Sequence, residues 1–227
     1  MAGEDRGSDE ELRLRIGERA GEVSALLRLP PGSKTMYVLA HGAGAGMRQP
    51  FLDAVVERLA ERSIATLRYQ FPYIEQGSRR PDPRPVLLAT VAAAIELARE
   101  RAPGLKLVAG GKSMGGRMTS HLLAATPPED VAGLVFLGFP LHPAGKPSTE
   151  RADHLASVRV PMLFLQGTRD PLADLGLVGD VCGRLGPLAT LHVVDDADHS
   201  FHVRKRSGRT DDAVLDELAD AVARFVE

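Results

Sequence analysis

Short apolar segments alternate along most of the chain with longer segments of helical periodicity. The predicted strands cover residues 36–40, 64–69, 105–109, 133–137, 162–165 and 189–194. The predicted helices cover residues 50–62, 85–101, 114–125, 172–185 and 211–225. Strands that alternate with helices in this way are typical of βαβ units, which build a parallel sheet with helices on both faces. We therefore predict an α/β fold with a doubly wound, mostly parallel sheet.

The segment that precedes these units has a different pattern. Apolar residues alternate with arginines around Leu14, a stretch bounded by glycines covers residues 17–21, and a second strand candidate covers residues 23–29. Strict alternation indicates a strand with one solvated face. We predict an N-terminal antiparallel hairpin within residues 11–30.

The domain organisation follows from the chain length and from two segments that do not fit the repeating pattern. With 227 residues the chain is within the range of a single α/β domain. Residues 73–85 and 141–159 are long enough for functional loops but too short for a folded cap domain. Residues 1–10 are polar and acidic. We predict a flexible tail over 1–10 and one domain over 11–227, without a large cap.

The charge balance and the cysteine count argue against several classes of partner and ligand. With 28 basic and 30 acidic side chains the net charge is -2, which gives no overall field to attract nucleic acid or an anionic membrane. Cys182 is the only cysteine, so no intramolecular disulfide can form, and no Cys/His cluster has zinc-like spacing. We predict no metal, no cofactor and no nucleic-acid partner.

Neither a membrane span nor a secretory signal is predicted. The most apolar stretch, residues 86–98, contains Glu96 and is shorter than the roughly 20 apolar residues that a spanning helix needs. The acidic N-terminus lacks the basic and apolar regions of a signal peptide. These observations favour a cytoplasmic protein without membrane contact, and the sequence carries no signal for an oligomeric state.

A glycine-rich pentapeptide, Gly111–Gly115, carries the strongest chemical signal. It matches G-x-S-x-G and lies between a predicted strand and a predicted helix, which is the context of a nucleophile elbow. In such a turn the serine has a strained backbone and close neighbours, so the small residues on both sides are a steric requirement. The turn also places Ser113 at a helix N-terminus, where partial positive charge favours a developing alkoxide.

Two nucleotide-binding motifs resemble the glycine segments but do not fit them. A phosphate-binding loop needs a glycine five positions before its Gly-Lys-Ser, where Lys106 stands. The segment 42–46 lacks the third glycine of G-x-G-x-x-G, because Met47 or Gln49 occupies that position. An ordinary turn with Ser113 as a helix N-cap remains the alternative to the elbow.

Proteins with this elbow carry an acid and then a histidine further along the chain. Asp170 follows a predicted strand, and His199 follows the last one. We expect His199 to take the proton of Ser113 and Asp170 to orient the imidazole. The alternatives for the base are His202, and less so His192 and His121; those for the acid are Asp174, and more remotely Asp196 and Asp198.

An oxyanion hole is predicted from two backbone N–H groups. One belongs to Met114, the residue after the nucleophile. The other comes from the small-residue loop that follows strand 36–40, where we favour Ala43 and place Gly44 second. A glycine-rich turn without a role is the alternative interpretation of that loop.

Aromatic and other large residues in the same loops are predicted to edge a substrate pocket, with plain packing as the alternative. They are Tyr69, Phe71, Tyr73, Phe139, Leu141 and His142. Arg79 and Arg80 are candidates to attract a substrate carboxylate, although a solvated charged loop is the favoured interpretation of that pair.

Several of these motifs together resemble the α/β-hydrolase family described as dienelactone-hydrolase-like, which includes a testis-expressed protein and a subunit of a eukaryotic histone acetyltransferase complex. The matching segments are 41–44, 68–73, 79–82, 110–117, 138–143, 145–147, 166–170 and 198–201. The resemblance extends from about Met36 to the C-terminus. It implies a single-domain α/β-hydrolase fold and supports the triad Ser113, Asp170 and His199. Well-studied dienelactone hydrolases use a cysteine nucleophile, so their lactone chemistry is not carried over to this serine.

The function predicted from the sequence is acyl transfer to water from a small ester-like substrate. Carboxylic ester hydrolysis is the first expectation, with thioester, amide and lactone hydrolysis next. Two other functions stay open: a non-catalytic scaffold, which the acetyltransferase-complex relatives suggest, and a serine peptidase.

Overall fold

The computed structural model describes residues 8–17 and 21–227, and within these ranges one eight-stranded sheet forms the centre of the protein. The strands are β1 (Glu10–Gly17), β2 (Gly21–Arg28), β3 (Thr35–Ala40), β4 (Ile64–Tyr69), β5 (Lys106–Lys112), β6 (Val131–Leu137), β7 (Met162–Gly167) and β8 (Ala189–Val194). The helices are α1 (Pro50–Ala60), α2 (Pro72–Glu75), α3 (Arg84–Arg101), α4 (Met114–Ala125), α5 (Leu175–Leu185) and α6 (Asp211–Val226). The predicted doubly wound α/β architecture is confirmed.

The sheet has the order β1-β2-β4-β3-β5-β6-β7-β8. Strands β3 to β8 are parallel, and β1 and β2 form the predicted antiparallel hairpin, with Leu14 opposite Val23. The hairpin joins the sheet because β2 also pairs antiparallel with β4. The turn residues 18–20 and residues 1–7 of the predicted tail lie outside the described residues. At the end of that tail, Asp9 pairs with Arg28 and Glu10 begins β1.

Hydrophobic side chains fill both faces of the sheet, which explains why the central strands are unbroken apolar runs. In β3, Met36 and Val38 face a core shared with α3, α4 and α5, whereas Tyr37 and Leu39 face a core shared with α1 and α6. Each large apolar side chain buried in this way contributes about 1.5–3 kcal/mol relative to exposure. No helix in the described part of the chain is long and apolar enough to span a membrane.

The order in which successive strands are added to the sheet reverses at β3, which places the loops of the site side by side. From β3 the chain crosses to β4 on one side, and later returns to β5 on the other side of β3. In open parallel sheets a ligand crevice forms at such a point, at the carboxyl ends of the strands. Ala40 and Gly111 are paired at those ends, so the loop after β3 meets the turn after β5.

Strand β5 is longer than predicted because its glycines continue the pairing. Gly110 pairs with Val135, and Gly111 pairs with Ala40 and Phe136. A Cβ atom on Gly110 would lie 2.0 Å from the Val135 carbonyl oxygen, so no side chain fits there. The two segments predicted as loops, 73–85 and 141–159, contain short helices. These are α2 and a 3₁₀ helix over Glu150–Ser157.

Candidate active site

Ser113 occupies a tight turn between β5 and α4. Its backbone has φ 50° and ψ -114°, a conformation that costs a non-glycine residue about 1–3 kcal/mol. The glycine at position 115 is required by space, because a Cβ there would lie 2.6 Å from the backbone oxygen of His41. The local sequence therefore folds as the predicted elbow, with the serine presented at the start of α4.

Ser113, His199 and Asp170 form a continuous hydrogen-bonded chain. His199 Nε2 lies 2.9 Å from Ser113 Oγ, and His199 Nδ1 lies 2.7 Å from Asp170 Oδ2. With the proton on Nδ1, the imidazole donates to the carboxylate and its free Nε2 accepts from the serine hydroxyl. The Asp170 side chain is 1% exposed and that of His199 is 22% exposed. The structure brings together the three residues that the sequence selected.

The Asp170 carboxylate is held by two further donors. Gln166 Nε2 donates to Oδ2 at 2.6 Å, and the backbone N–H of Leu172 donates to Oδ1 at 2.8 Å. These bonds compensate the buried carboxylate for lost hydration and fix its orientation toward His199. Sequence reasoning did not identify Gln166 in this role, although it lies four residues before Asp170 at the end of β7.

Comparison with known proteins assigns the family. The model of a family described as "Alpha/beta hydrolase domain" matches residues 33–227. The chain belongs to this family. The narrower grouping with a testis-expressed protein and an acetyltransferase-complex subunit stays a prediction.

Solved structures share the architecture of this hydrolase domain at low sequence identity. A lidless α/β serine hydrolase from Xanthomonas campestris has 22% identity and a TM-score of 0.74, with 96% of this chain and 95% of the other covered. A dienelactone hydrolase from Anabaena variabilis has 20% identity and a TM-score of 0.76, with 96% of each chain covered. An esterase from Pyrococcus furiosus has 16% identity and a TM-score of 0.71, with coverage of 99% and 94%. These similarities establish the fold of the hydrolase domain.

Lys112, immediately before the nucleophile, is a buried residue that sequence reasoning left without a role. Its Nζ donates to the backbone carbonyl of His199 at 2.6 Å and lies 5.5 Å from the centre of the Phe201 ring. Burial lowers the pKa of Lys112 to about 8, against the opposing influence of the Asp170 and Asp198 charges. The sequence feature that could have drawn attention to Lys112 is its charge, because it lies at the end of an apolar strand.

The alternative histidines have other partners. His202 Nδ1 lies 2.8 Å from Asp211, and His192 Nε2 lies 2.7 Å from Glu217. His121 stacks on His154 with ring centres 3.6 Å apart. These contacts leave His199 as the one among the four weighed histidines whose imidazole is hydrogen-bonded to Ser113.

The alternative carboxylates are likewise engaged elsewhere. Asp174 caps α5, where it accepts from the N–H of Leu177 at 3.0 Å. Asp196 pairs with Arg204. Asp198 accepts the backbone N–H groups of Ser200 and His202 at 2.8 and 3.1 Å, which shapes the loop that carries His199.

The loop after β3 forms a turn in which the backbone N–H groups of the two oxyanion candidates have different hydrogen bonds. The N–H of Ala45 donates to the Gly42 carbonyl at 3.3 Å, and Gly44 has φ 71°. The N–H of Gly44 donates to the Tyr73 hydroxyl at 3.0 Å. Within the described residues the N–H of Ala43 has no such acceptor, so Ala43 is the better placed of the two. Met114 begins α4, where a backbone N–H has no partner within its own helix.

His41 holds this loop in place. Its Nε2 accepts the N–H of Phe71 at 3.1 Å, so the proton on Nδ1 donates to the Gly42 carbonyl at 2.7 Å. Burial lowers the pKa of His41 to about 4, although the bond to Gly42 acts in the opposite direction. The side chain is therefore neutral at pH 7 and rigidly bonded, a role that the sequence pattern did not indicate.

The six predicted pocket residues are all buried. They are Tyr69, Phe71, Tyr73, Phe139, Leu141 and His142. Phe139 packs edge-on against Phe136 at 5.1 Å between ring centres, and His142 Nε2 accepts the N–H of Asp174 at 2.7 Å. The observed contacts are those of packing and loop support, and a role at the pocket edge stays a prediction.

Proposed function

We propose that this chain is a serine hydrolase that forms an acyl-enzyme with a small ester-like substrate, a carboxylic ester first and a thioester second. Ser113 is the nucleophile, His199 the general base and acid, and Asp170 the residue that orients His199. The observation that carries the proposal is the pair of hydrogen bonds, 2.9 and 2.7 Å long, that joins the three side chains. Two contacts in series, from a nucleophile to a base and from the base to its orienting group, are the signature of an activated serine.

The geometry supports a two-stage reaction. Ser113 Oγ forms a bond to the carbonyl carbon while its proton passes to His199 Nε2, and the carbonyl electron pair moves onto oxygen. When the tetrahedral intermediate collapses, the bond to the leaving alcohol or thiol breaks and His199 returns the proton to it. Water then repeats the sequence on the acyl-enzyme and releases the acid. Asp170 remains a carboxylate throughout and stabilises the imidazolium.

The developing oxyanion would be bound by the backbone N–H groups of Met114 and Ala43. Met114 lies at the positive end of α4, and Ala43 is an exposed residue of a turn that His41 and Tyr73 hold. Donors positioned before the reaction need no reorganisation when the charge appears, and one such donor is worth about 10²–10³ in rate.

A fluorophosphonate probe tests the proposal. We expect the wild type to be labelled at Ser113 and to hydrolyse short p-nitrophenyl esters, and both activities to vanish in Ser113→Ala. A control is Ser157→Ala, because Ser157 is an exposed serine at the end of the 3₁₀ helix. Absence of labelling and turnover in a folded wild type would instead favour the scaffold function. Faster cleavage of aminoacyl chromogenic substrates than of esters would favour a peptidase.

A further inference from the structure

Three arginines lie on α4, the helix that follows the nucleophile, and on two elements that pack against it, α3 and the 3₁₀ helix. Arg84 is the first residue of α3, Arg117 lies one turn after Ser113 in α4, and Arg151 lies in the 3₁₀ helix. Helix α4 packs against both α3 and the 3₁₀ helix, which brings the three residues to one region. Burial, and then the charges of Arg151 and Arg84, lower the pKa of Arg117, in agreement with that placement. None of them belongs to the triad or the oxyanion hole.

The packing of α4 on the 3₁₀ helix sets the location of this arginine cluster, defined as Arg84, Arg117 and Arg151. Ser120 Oγ lies 2.8 Å from His154 Nε2, and the His121 and His154 rings stack. Arg117 precedes His121 by one helical turn, on the side toward Ser113. Arg151 Nη1 donates to the Pro140 carbonyl at 3.4 Å, which brings it to the loop after β6 beside the triad.

The same loop passes beside the catalytic side chains. A Cβ atom built on Gly138, two residues before Pro140, would lie 3.5 Å from His199 Nδ1 and 3.6 Å from Asp170 Oδ2. Arg151 is therefore bonded to a segment that borders the triad. The arginine cluster lies at the edge of the site and not on a distant surface.

The arginine cluster lacks an ion-pair partner among the described residues. Arg84 is exposed, whereas Arg117 and Arg151 are partly buried. Partly buried arginines elsewhere do have a carboxylate partner: Arg28 pairs with Asp9, and Arg62 with Asp220. Within residues 8–17 and 21–227, no ion pair is formed by Arg84, Arg117 or Arg151. The Nε atom of Arg117 is also buried without a hydrogen-bond partner. A buried donor of this kind is costly unless an acceptor completes it.

The neighbouring His121 and His154 are uncharged at neutral pH. They therefore provide no negative charge to pair with the arginines, and they add no positive charge. Burial is the main cause that lowers the pKa of His121 and of His154 to about 4 in each case. The local charge therefore comes from the arginines. Their planar guanidinium groups match the geometry of a carboxylate or a phosphate, which they bind with paired hydrogen bonds.

We propose that the arginine cluster binds an anionic oxygen group, a carboxylate or a phosphate, on the substrate whose carbonyl Ser113 attacks. This inference rests on the proposed function, because it names the class of ester that the same site prefers. Arg117 follows Ser113 by four residues, and its backbone N–H donates to the Ser113 carbonyl at 3.1 Å. That spacing suits a substrate whose anionic group is a few bonds from the scissile carbonyl, such as a half-ester of a short dicarboxylic acid.

Two substrates of equal shape test the charge preference. The p-nitrophenyl half-ester of glutaric acid and the p-nitrophenyl ester of 5-methylhexanoic acid differ by a carboxylate in place of an isopropyl group. After subtraction of the uncatalysed rates, we expect kcat/KM of the wild type to favour the charged ester at least about tenfold, since a charge-assisted hydrogen bond contributes at least that much. Equal kcat/KM values for the two esters would overturn the proposal.

Variants then assign the preference to the arginine cluster. Arg117→Met is expected to lower kcat/KM about 10- to 100-fold for the charged ester and less than about twofold for the neutral one. Arg117→Lys, which keeps the charge but not the paired geometry, is expected to restore part of the loss. The control is Arg80→Met, an exposed arginine in the loop before α3, which is expected to change neither. Equal losses on both esters, or a loss of preference in Arg80→Met instead, would contradict the proposal.

A binding measurement keeps this inference separate from the proposed function. Isothermal titration calorimetry with inorganic phosphate and with acetate measures which of the two anions the arginine cluster binds more tightly. Binding of either anion agrees with the proposal if Arg117→Met abolishes that binding. Binding that survives in Arg117→Met, or no binding of either ion, would overturn it. Fluorophosphonate labelling and turnover of the neutral ester report on Ser113 alone, so their loss would refute the proposed function and not the arginine site.

Discussion

Lys112 Nζ donates a hydrogen bond to the backbone carbonyl of His199 over 2.6 Å. The residue before the nucleophile is thereby connected to the backbone of the base. Lys112 is 5% exposed, and a buried ammonium group is costly unless nearby acceptors and charges compensate it. The His199 carbonyl, the Phe201 ring and the charges of Asp170 and Asp198 provide that compensation. The loop that carries the base is consequently anchored to the elbow independently of the imidazole.

Replacement of Lys112 by methionine tests this anchoring. We expect kcat to fall about 10- to 100-fold, because small displacements of a catalytic group have effects of that size. The acid limb of the kcat/KM profile should also move to higher pH, because Lys112 is charged below its pKa of about 8 and its cation opposes formation of the imidazolium. Lys112→Arg should keep the acid limb in place. Loss of activity in Lys112→Met with an unshifted acid limb would show that Lys112 acts only through packing.

Asp170→Asn should remove the preference for the productive imidazole tautomer while preserving shape. The expected result is a fall in kcat of about 10³-fold or more, as for other triads that lose their carboxylate. The matched control is Asp174→Asn, because Asp174 follows Asp170 closely but caps α5. That variant should retain activity, and similar losses in both variants would argue against the assignment of the acid.

Ala43→Pro should show whether Ala43 or Gly44 supplies the second oxyanion donor. Proline has no backbone N–H, and it suits the first central position of a turn. We expect kcat to fall about 10²–10³-fold with little change in thermal stability. Ala43→Ser, which keeps the N–H, is the control and should remain active. If Ala43→Pro keeps full activity while Tyr73→Phe alters it, the donor is Gly44, whose N–H is bonded to Tyr73.

The stacked pair of His121 and His154 should make the fold sensitive to acid. Burial is the first cause that lowers the pKa of each from 6.5 to about 4, so between pH 4 and 6.5 the unfolded chain binds protons that the folded chain does not. The free energy of unfolding must then fall as pH is lowered through this window. Because both groups are partly exposed, we expect a loss of about 1 kcal/mol in total between pH 7 and 5.

Urea unfolding at pH 5 and pH 7 measures this loss. In the double variant His121→Gln/His154→Gln, the difference between the two pH values should shrink. His202→Gln is a control of opposite sign, because Asp211 raises the pKa of His202 through a hydrogen bond and its charge. That contribution is present at low pH and is lost as pH rises, so its removal should enlarge the difference. An unchanged difference in the double variant would refute the account of the histidine pair.

The sequence predicted the parallel sheet and the elbow well because both depend on local patterns. β4 and β8 have the predicted bounds, and Ser113 has the strained backbone that its motif requires. Asp170 and His199 could be proposed as partners of Ser113 because each follows a strand at the carboxyl edge of the sheet, where parallel topology brings loops together. The structure joins the three side chains by hydrogen bonds.

Interactions that depend on tertiary contacts were not visible in the sequence. Lys112 occupies a variable position of the motif G-x-S-x-G, and His41 precedes a glycine-rich loop, although both make buried hydrogen bonds that shape the site. The location of Arg117 beside Arg84 and Arg151 was equally hidden, because these residues come from three separate segments. Arg79 and Arg80, which the sequence offered as candidates for a carboxylate, are exposed.

The acyl-enzyme is the most direct test of the central claim. Wild-type protein mixed with excess p-nitrophenyl acetate and quenched in acid within the first turnovers should gain the mass of one acetyl group, and peptide mapping should place that group on Ser113. The Ser113→Ala protein should show neither the adduct nor the initial burst of p-nitrophenol. Steady turnover of the ester by wild type with an acetyl group on another residue, or unaffected turnover by Ser113→Ala, would contradict the account.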